Sequence, residues 1–314
     1  MTGQESEEGR KGEEKIREVS SYYYKRRDIQ KVLAGFSQYR EVVPRYFESF
    51  GRRPDTLQYE SDVAALADKG ATSFHCSEEL WKDPLKLSTE LSEQELTDLR
   101  LGWDLLIDID TQYLDYGIVT AELLVEALKF HNIHSFGVKY SGSRGFHIGI
   151  SRTAFPETVG NIETRNLFPE GARAITKYLY EIIKKKLAER VNEISGVRFK
   201  DAVLPDLVLV SPRHLFRMPY SLHEKTCLSS IVIKPEQLKN FKPSWAKPEL
   251  VMPKQFLPEP EKNEARELLI QAMDWYSRQE KKEKTEKKGF YKEVVIKDLT
   301  PALYPPCILN ILAG

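Results

Sequence analysis

Cysteine is scarce in this chain of 314 residues: three occur, Cys76, Cys227 and Cys307, far apart and without a CxxC pair. That spacing excludes a disulfide framework and a self-contained zinc site, and it suits a reducing compartment. Long apolar runs are missing too. No stretch reaches the ~18 apolar residues of a membrane span, and the chain opens on a polar Gly/Glu/Lys stretch rather than a signal peptide. A cytoplasmic protein with no membrane partner is the expectation. Charge of one sign is not in excess either, because 47 Lys and Arg balance 47 Asp and Glu. The molecule as a whole therefore has no field to draw in a polyanion, and any nucleic-acid contact must come from a local patch.

What is present suffices for an enzyme-sized core, since 41% of residues are apolar. Residues 1–20, rich in Glu, Lys and Gly, read as a disordered tail or the frayed start of a helix. From Tyr22 and Tyr23 the texture becomes aromatic and basic. Periodicity predicts a strand over Trp103 to Asp110, a helix over Val119 to Phe130, and strands over Ser135 to Tyr140 and Phe146 to Ile150. Ile175, Leu179, Ile182, Ile183, Leu187 and Val191 fall at helical spacing in a long, basic-faced helix. Beyond Pro243 the chain is Pro-rich, then predicts a helix near Ala265 to Tyr276 and a charge-dense linker over Lys281 to Lys288. The organisation expected is a catalytic domain over 21–245, a helical extension and charged linker over 246–288, and a separate segment over 289–314.

Three segments carry chemistry. In Asp104-Leu-Leu-Ile-Asp108-Ile-Asp110 an apolar strand ends in two carboxylates two positions apart, and alternation puts both on one face. Two like charges side by side need a cation between them, and Mg²⁺ or Mn²⁺ is commonly held by one or two carboxylates plus substrate phosphates. A bare Asp-x-Asp is more often a solvated surface turn. The second segment, Ser141-Gly-Ser143-Arg144-Gly-Phe-His147, joins two strands with glycines that let backbone N–H groups approach a phosphate, and with Arg144 and His147 to complement its charge. The alternative there is an ordinary Gly-rich hairpin. The third runs from Asp206 through His214, Arg217 and Ser221 to His223 and Lys225, and in isolation would read as a strand and loop with surface ions.

Taken in order, these segments resemble the motifs of the small catalytic subunit of archaeal and eukaryotic primases. Ser73-Phe-His-Cys-Ser-Glu-Glu-Leu-Trp-Lys-Asp-Pro84 and Tyr22-Tyr23 extend the similarity over about residues 21 to 235. The resemblance implies an α+β fold in which a mixed or antiparallel sheet, similar to the RNA-recognition fold, is flanked by helices and followed by a helical C-terminal extension. It implies that Asp108, Asp110 and Asp206 bind Mg²⁺ or Mn²⁺, with Asp201 the alternative third ligand. It also implies that Ser141, Ser143, Arg144, His147, Arg217, His223 and Lys225 contact an incoming NTP or dNTP. The activity implied is template-directed primase and polymerase chemistry on single-stranded DNA, with template and primer over basic segments such as Lys184 to Lys186 and Arg198 to Lys200. The zinc-binding cysteine cluster of many replicative small subunits is absent from this sequence.

An end-joining repair polymerase of the same superfamily, a metal-dependent nuclease and a noncatalytic nucleic-acid-binding module are the alternatives. Near the end, Pro305-Pro306-Cys307-Ile308 resembles the opening of the iron–sulfur domain of the primase large subunit. That similarity implies a fused parent chain, or a large-subunit partner, with an iron–sulfur cluster only where further cysteines follow; the alternative is a plain C-terminal helix that packs on the core.

Overall fold

The computed structural model describes residues 2–47, 49–196, 206–208 and 210–290. Asp201, the Arg198 to Lys200 segment and the segment around Cys307 lie outside the described residues. In chain order the elements are α1 (Thr2–Tyr24), α2 (Arg27–Phe36), β1 (Val42–Tyr46), β2 (Ser49–Phe50), α3 (Glu60–Asp68), β3 (Ser73–Ser77), β4 (Glu79–Trp81), α4 (Glu93–Leu99), β5 (Arg100–Trp103) and β6 (Leu105–Asp110). There follow α5 (Leu114–Phe130), β7 (Gly137–Tyr140), β8 (Phe146–Ile150), β9 (Thr158–Val159), β10 (Ile162–Glu163), α6 (Glu170–Ser195), β11 (Asp206–Val208), β12 (Leu215–Arg217), β13 (Val232–Ile233) and α7 (Arg266–Phe290). The chain divides into a unit Met1–Asp274, which holds every described strand, and a unit Trp275–Gly314.

The fold class is α+β, with antiparallel sheets flanked by helices. A five-stranded sheet has the order β11-β6-β8-β7-β13 and a four-stranded sheet the order β12-β3-β1-β2; β4 pairs with β5 and β9 with β10. All of these pairings are antiparallel. The helix predicted from Val119 begins earlier, at Leu114, and the basic-faced helix is α6. α1 takes in the Glu/Lys/Gly-rich stretch for which the start of a helix was one of two readings. The Lys281 to Lys288 stretch lies within α7.

The stretch Trp103 to Asp110, expected to be one strand, is two strands in two different sheets, β5 paired with β4 and β6 with β8 and β11. The break falls on Asp104. Its buried carboxylate accepts hydrogen bonds from the Arg40 guanidinium and from the Arg152 backbone N–H at 2.6 Å. Both donors lie far away in sequence, so local pattern could not reveal them.

Alternation along β6 separates its two faces. Leu105, Ile107 and Ile109 are fully buried, and α5 and α6 pack against this strand. Each such side chain contributes about 1.5–3 kcal/mol by leaving water. Leu106, on the other face, joins a cluster with Tyr24, Phe74, Cys76, Phe216 and Phe256, which draws together both sheets and the N-terminal helix. The Tyr23 hydroxyl donates to the Tyr220 carbonyl at 3.0 Å and the Tyr24 hydroxyl accepts from the Leu222 N–H at 2.8 Å. These bonds tie α1 to the loop that carries His223.

Candidate functional site

A cavity of about 350 Å³ opens at the end of β6 and is lined by His75, Asp108, Asp110, Thr111, Ser141, Ser143, Arg144, His147, Phe216, Arg217 and His223, among others. All three sequence segments thus reach one place, although they are separated in the chain by tens of residues. Lys225 is not among the lining residues; its backbone N–H donates to His223 Nδ1 at 3.2 Å. The β11 ladder puts the Cα of Asp206 opposite Asp110 and that of Val208 opposite Asp108. Positions facing each other in an antiparallel ladder share a face of the sheet.

The Gly-rich loop is shaped by contact rather than by flexibility alone. Gly142 has φ +99°, and a Cβ there would stand 2.7 Å from the Cβ of His223. A Cβ at Gly145 would lie 2.3 Å from the carbonyl oxygen of Ile109, so only glycine lets this loop press against β6. The Ser141 N–H donates to the Gly145 carbonyl at 3.0 Å, and the Tyr140 hydroxyl donates to the Ser143 carbonyl. Arg144 remains exposed, with Nη1 3.1 Å from the Gln112 carbonyl.

A single rung across the sheet carries the polar side chains. Register pairs Asp108 with His147, and His147 with Lys139. Lys139 is completely buried, and its ammonium donates to the Arg217 carbonyl at 2.8 Å, to Ser230 Oγ at 2.9 Å and to His147 Nδ1 at 2.9 Å. Those three bonds use every proton of the charged amine. While Lys139 is charged, His147 accepts at Nδ1 and carries its proton on Nε2, which sits 3.3 Å from Asp108 Oδ1. In its protonated form Lys139 therefore selects the tautomer in which His147 faces the cavity as a donor.

Burial dominates the electrostatics. It pushes the Asp108 carboxyl up to about 6, against the opposing pull of Lys139 and His214. Burial likewise brings Lys139 down to about 7, with Asp108 resisting the fall and Arg217 adding to it. His147 and His75 are held well below the ordinary imidazole range, first by burial and then by neighbouring cations, so both are neutral near pH 7. Arg217 is buried and donates to the Leu222 carbonyl at 2.7 Å and to Glu224 Oε2 at 2.6 Å. Glu224 also pairs with Arg45 at 3.0 Å.

Sequence reasoning assigned no role to Lys139 or to His75. His75 is buried against the cavity and its Nδ1 has no hydrogen-bond partner among the described residues. The signal for Lys139 was available: a lysine inside the apolar stretch Phe136-Gly-Val-Lys139-Tyr is out of place in a buried strand. Of the proposed basic track on α6, Lys186 is engaged by Glu126 at 2.7 Å, while Lys184 has only a loose surface pair with Glu181 at 3.6 Å.

Among the described residues no group of three or more His, Cys, Asp or Glu side chains could hold a metal ion. Asp108 and Asp110 nonetheless put two hard oxygen donors on one cavity, and such a pair binds Mg²⁺ or Mn²⁺ when substrate phosphates supply further ligands. No helix among the described residues is long and apolar enough to cross a membrane.

No protein-family model matches the chain, and no curated protein matches it either. Among solved structures the chain is similar to the polymerase domain from Mycobacterium tuberculosis Ligase D in complex with DNA. Identity is 13% over 83% of this chain and 88% of that one, with a TM-score of 0.44. A likeness of that degree leaves the activity to be argued from the chain's own residues.

Proposed function

We propose that the chain is a template-directed nucleotidyltransferase, a primase or polymerase that joins NTPs or dNTPs on single-stranded DNA. The observation that carries this reading is the convergence of Asp108, Asp110, the Ser141 to His147 loop, Arg217 and His223 on one cavity. Carboxylates beside phosphate-complementing groups are what a nucleoside triphosphate requires. A nuclease could use the two acids but has little need of the second set.

In this reading Asp108 and Asp110, with Asp206 opposite Asp110 in the ladder, would hold the divalent cation, Mg²⁺ or Mn²⁺. Such a cation supplies charge neutralisation for the phosphates and the departing pyrophosphate. The remaining work belongs to the side chains. Ser141 and Ser143 offer hydroxyls, and Arg144, exposed at the rim, is free to swing onto a phosphate as a forked donor. His147 donates from Nε2, its direction fixed by Lys139. Arg217 is held rigid by Glu224 and Leu222, and so is preorganised to stabilise anionic charge without reorganisation. The neutral imidazoles of His147 and His75 add donors without repelling the cation.

Incubation with an unprimed single strand and with a primed template, labelled nucleotides, and Mg²⁺ or Mn²⁺ tests the proposal. Nucleotide-dependent lengthening of a strand is expected. Shortening of the strand would convert the reading to a nuclease, and binding without either change would convert it to a noncatalytic module.

A further inference from the structure

Beside the proposed nucleotide cavity lies a second cleft, a space of about 1060 Å³. It is lined by Phe50 at the end of β2, by Arg52 and Arg53 in the loop that follows, and by Leu85 and Lys86. The floor is the segment leading into β12. The cleft and the cavity meet at Leu215, which lines both. They meet a second time where the Phe50 ring stands edge-on to His75, with centroids 5.1 Å apart.

Charge in this cleft is one-sided although the chain is neutral. Its lining contains four Lys or Arg residues, Arg52, Arg53, Lys86 and Arg213, against one acid, Asp55. Two of these cations are built into the wall. Arg53 forks onto the buried carboxylate of Glu41 at 2.9 and 2.8 Å and also donates to the Arg213 carbonyl at 2.8 Å. Arg213 reaches the same carboxylate at 2.9 Å, and its backbone N–H is held by Glu79 at 2.6 Å. One carboxylate between two guanidiniums leaves a fixed net positive charge.

Arg52 is exposed, and Lys86 has only a loose surface pair with Asp83 at 3.7 Å. An ion pair of that kind yields readily to a phosphate. Two large apolar side chains also face solvent here: Phe50 and Leu85 are each 48% exposed. Phe50 is fixed by His75 on its edge and by the Arg45 guanidinium at 5.2 Å from the ring centroid. A positive groove with a rigid aromatic platform is the combination that holds unpaired bases and their phosphates.

We infer that this cleft binds single-stranded nucleic acid and leads it past Leu215 into the nucleotide cavity, in place of the α6 face suggested by the lysine run. The inference rests on the proposed nucleotidyl transfer for its direction, but strand binding in the cleft stands or falls by itself. An acidic peptide would satisfy the cations and leave Phe50 without purpose. A free nucleotide would fill little of a space about three times the volume of the neighbouring cavity, 1060 against 350 Å³.

The experiment measures binding of a short fluorescein-labelled single-stranded oligonucleotide by anisotropy over a series of salt concentrations. The full chain is compared with Arg52→Glu/Lys86→Glu, with Phe50→Ala, and with Lys184→Glu/Lys186→Glu as a control of equal charge change on α6. The cleft pair should weaken binding by at least about tenfold and lower the salt slope by about 1.4, two phosphate contacts at ~0.7 each. Phe50→Ala should weaken it by about tenfold with the slope unchanged, since stacking carries no counterion release. The α6 pair should bind like the unaltered chain. Equal loss in the two charge-reversed pairs, or no loss in the cleft pair, would overturn the inference. Strand binding without incorporation by the unaltered chain would instead sink the nucleotidyl transfer and leave the cleft in place, whereas incorporation with wild-type binding in the cleft variants would do the reverse.

Discussion

The two faces of the five-stranded sheet are built from the same strands and obey opposite rules. On the face turned to α5 and α6, β6 presents Leu105, Ile107 and Ile109, all completely buried and apolar. On the other face the same strand presents Leu106, Asp108 and Asp110, and the rung from Asp108 through His147 to Lys139 replaces packing with hydrogen bonds. One face lowers the free energy of folding by removing hydrocarbon from water. The other carries its acid and its amine far from their ordinary ionisation ranges, a cost accepted for chemistry and compensated by the apolar face behind it.

The largest test of this division removes an acid. Asp108→Ala or Asp110→Ala should cut nucleotide incorporation about 100- to 1000-fold or more, the scale of losing one preorganised electrostatic group. Thermal melting should hold steady or rise for Asp108→Ala, because the lost carboxyl was disfavoured by burial. Wild-type-like primer extension by either variant would remove the metal-site assignment.

On the opposite face the effect should be on stability and not on chemistry. Ile107→Ala leaves a cavity under the helices and is expected to destabilise by about 2–5 kcal/mol. Incorporation per folded molecule, measured below the melting transition, should stay close to that of the parent. A large loss of activity in fully folded Ile107→Ala would mean that the faces are not separable.

Lys139 sharpens the comparison through pH. Its folded-state value is near 7 against 10.5 for an exposed lysine, so between those values the unfolded chain binds the extra proton. Stability therefore rises with pH across that window, and below 7 the cost of burying the charge is present in full. Relative to Lys139→Met, the parent should gain about 2 kcal/mol between pH 7 and pH 9, the slope rising from about half of ~1.4 kcal/mol per pH unit at pH 7 to nearly all of it at pH 9. An equal pH dependence of stability in the two proteins over that range would contradict the lowered value of buried Lys139.

The smallest structural effect belongs to Arg144→Ala. Exposed and, among the described residues, bonded to the Gln112 carbonyl alone, Arg144 should change stability by less than about 0.5 kcal/mol. Its loss should raise the KM for nucleotide while leaving oligonucleotide binding intact. Unchanged KM with weakened strand binding would move this residue from the triphosphate to the strand.

Some of this was legible in the sequence and some was not. β8 was readable at its observed bounds, Phe146 to Ile150, because a Gly-rich turn and an apolar run mark both ends locally. The core positions of α6 were equally plain: Ile175, Leu179, Ile183, Leu187 and Val191 are buried, while Ile182, on the edge of the same pattern, is 43% exposed. The break at Asp104 was hidden because its cause is Arg40, in a different part of the chain. The basic run Lys184 to Lys186 looked like a free surface until Glu126, on α5, was brought beside it.

By itself the sequence determined the strand that ends in Asp108 and Asp110, the face those acids share, and the tight loop from Ser141 to His147. These follow from period-two alternation and from glycine's missing Cβ, which are properties of a few consecutive residues. Only the tertiary structure decided that Lys139 lies against His147, that Arg217 is clamped by Glu224, and that the cleft lined by Arg52 and Lys86 meets the Asp108 cavity at Leu215. Each depends on register between strands or on loops distant in the chain. A buried amine keeps its partners only because other segments close over it, and no local pattern encodes which segments those will be.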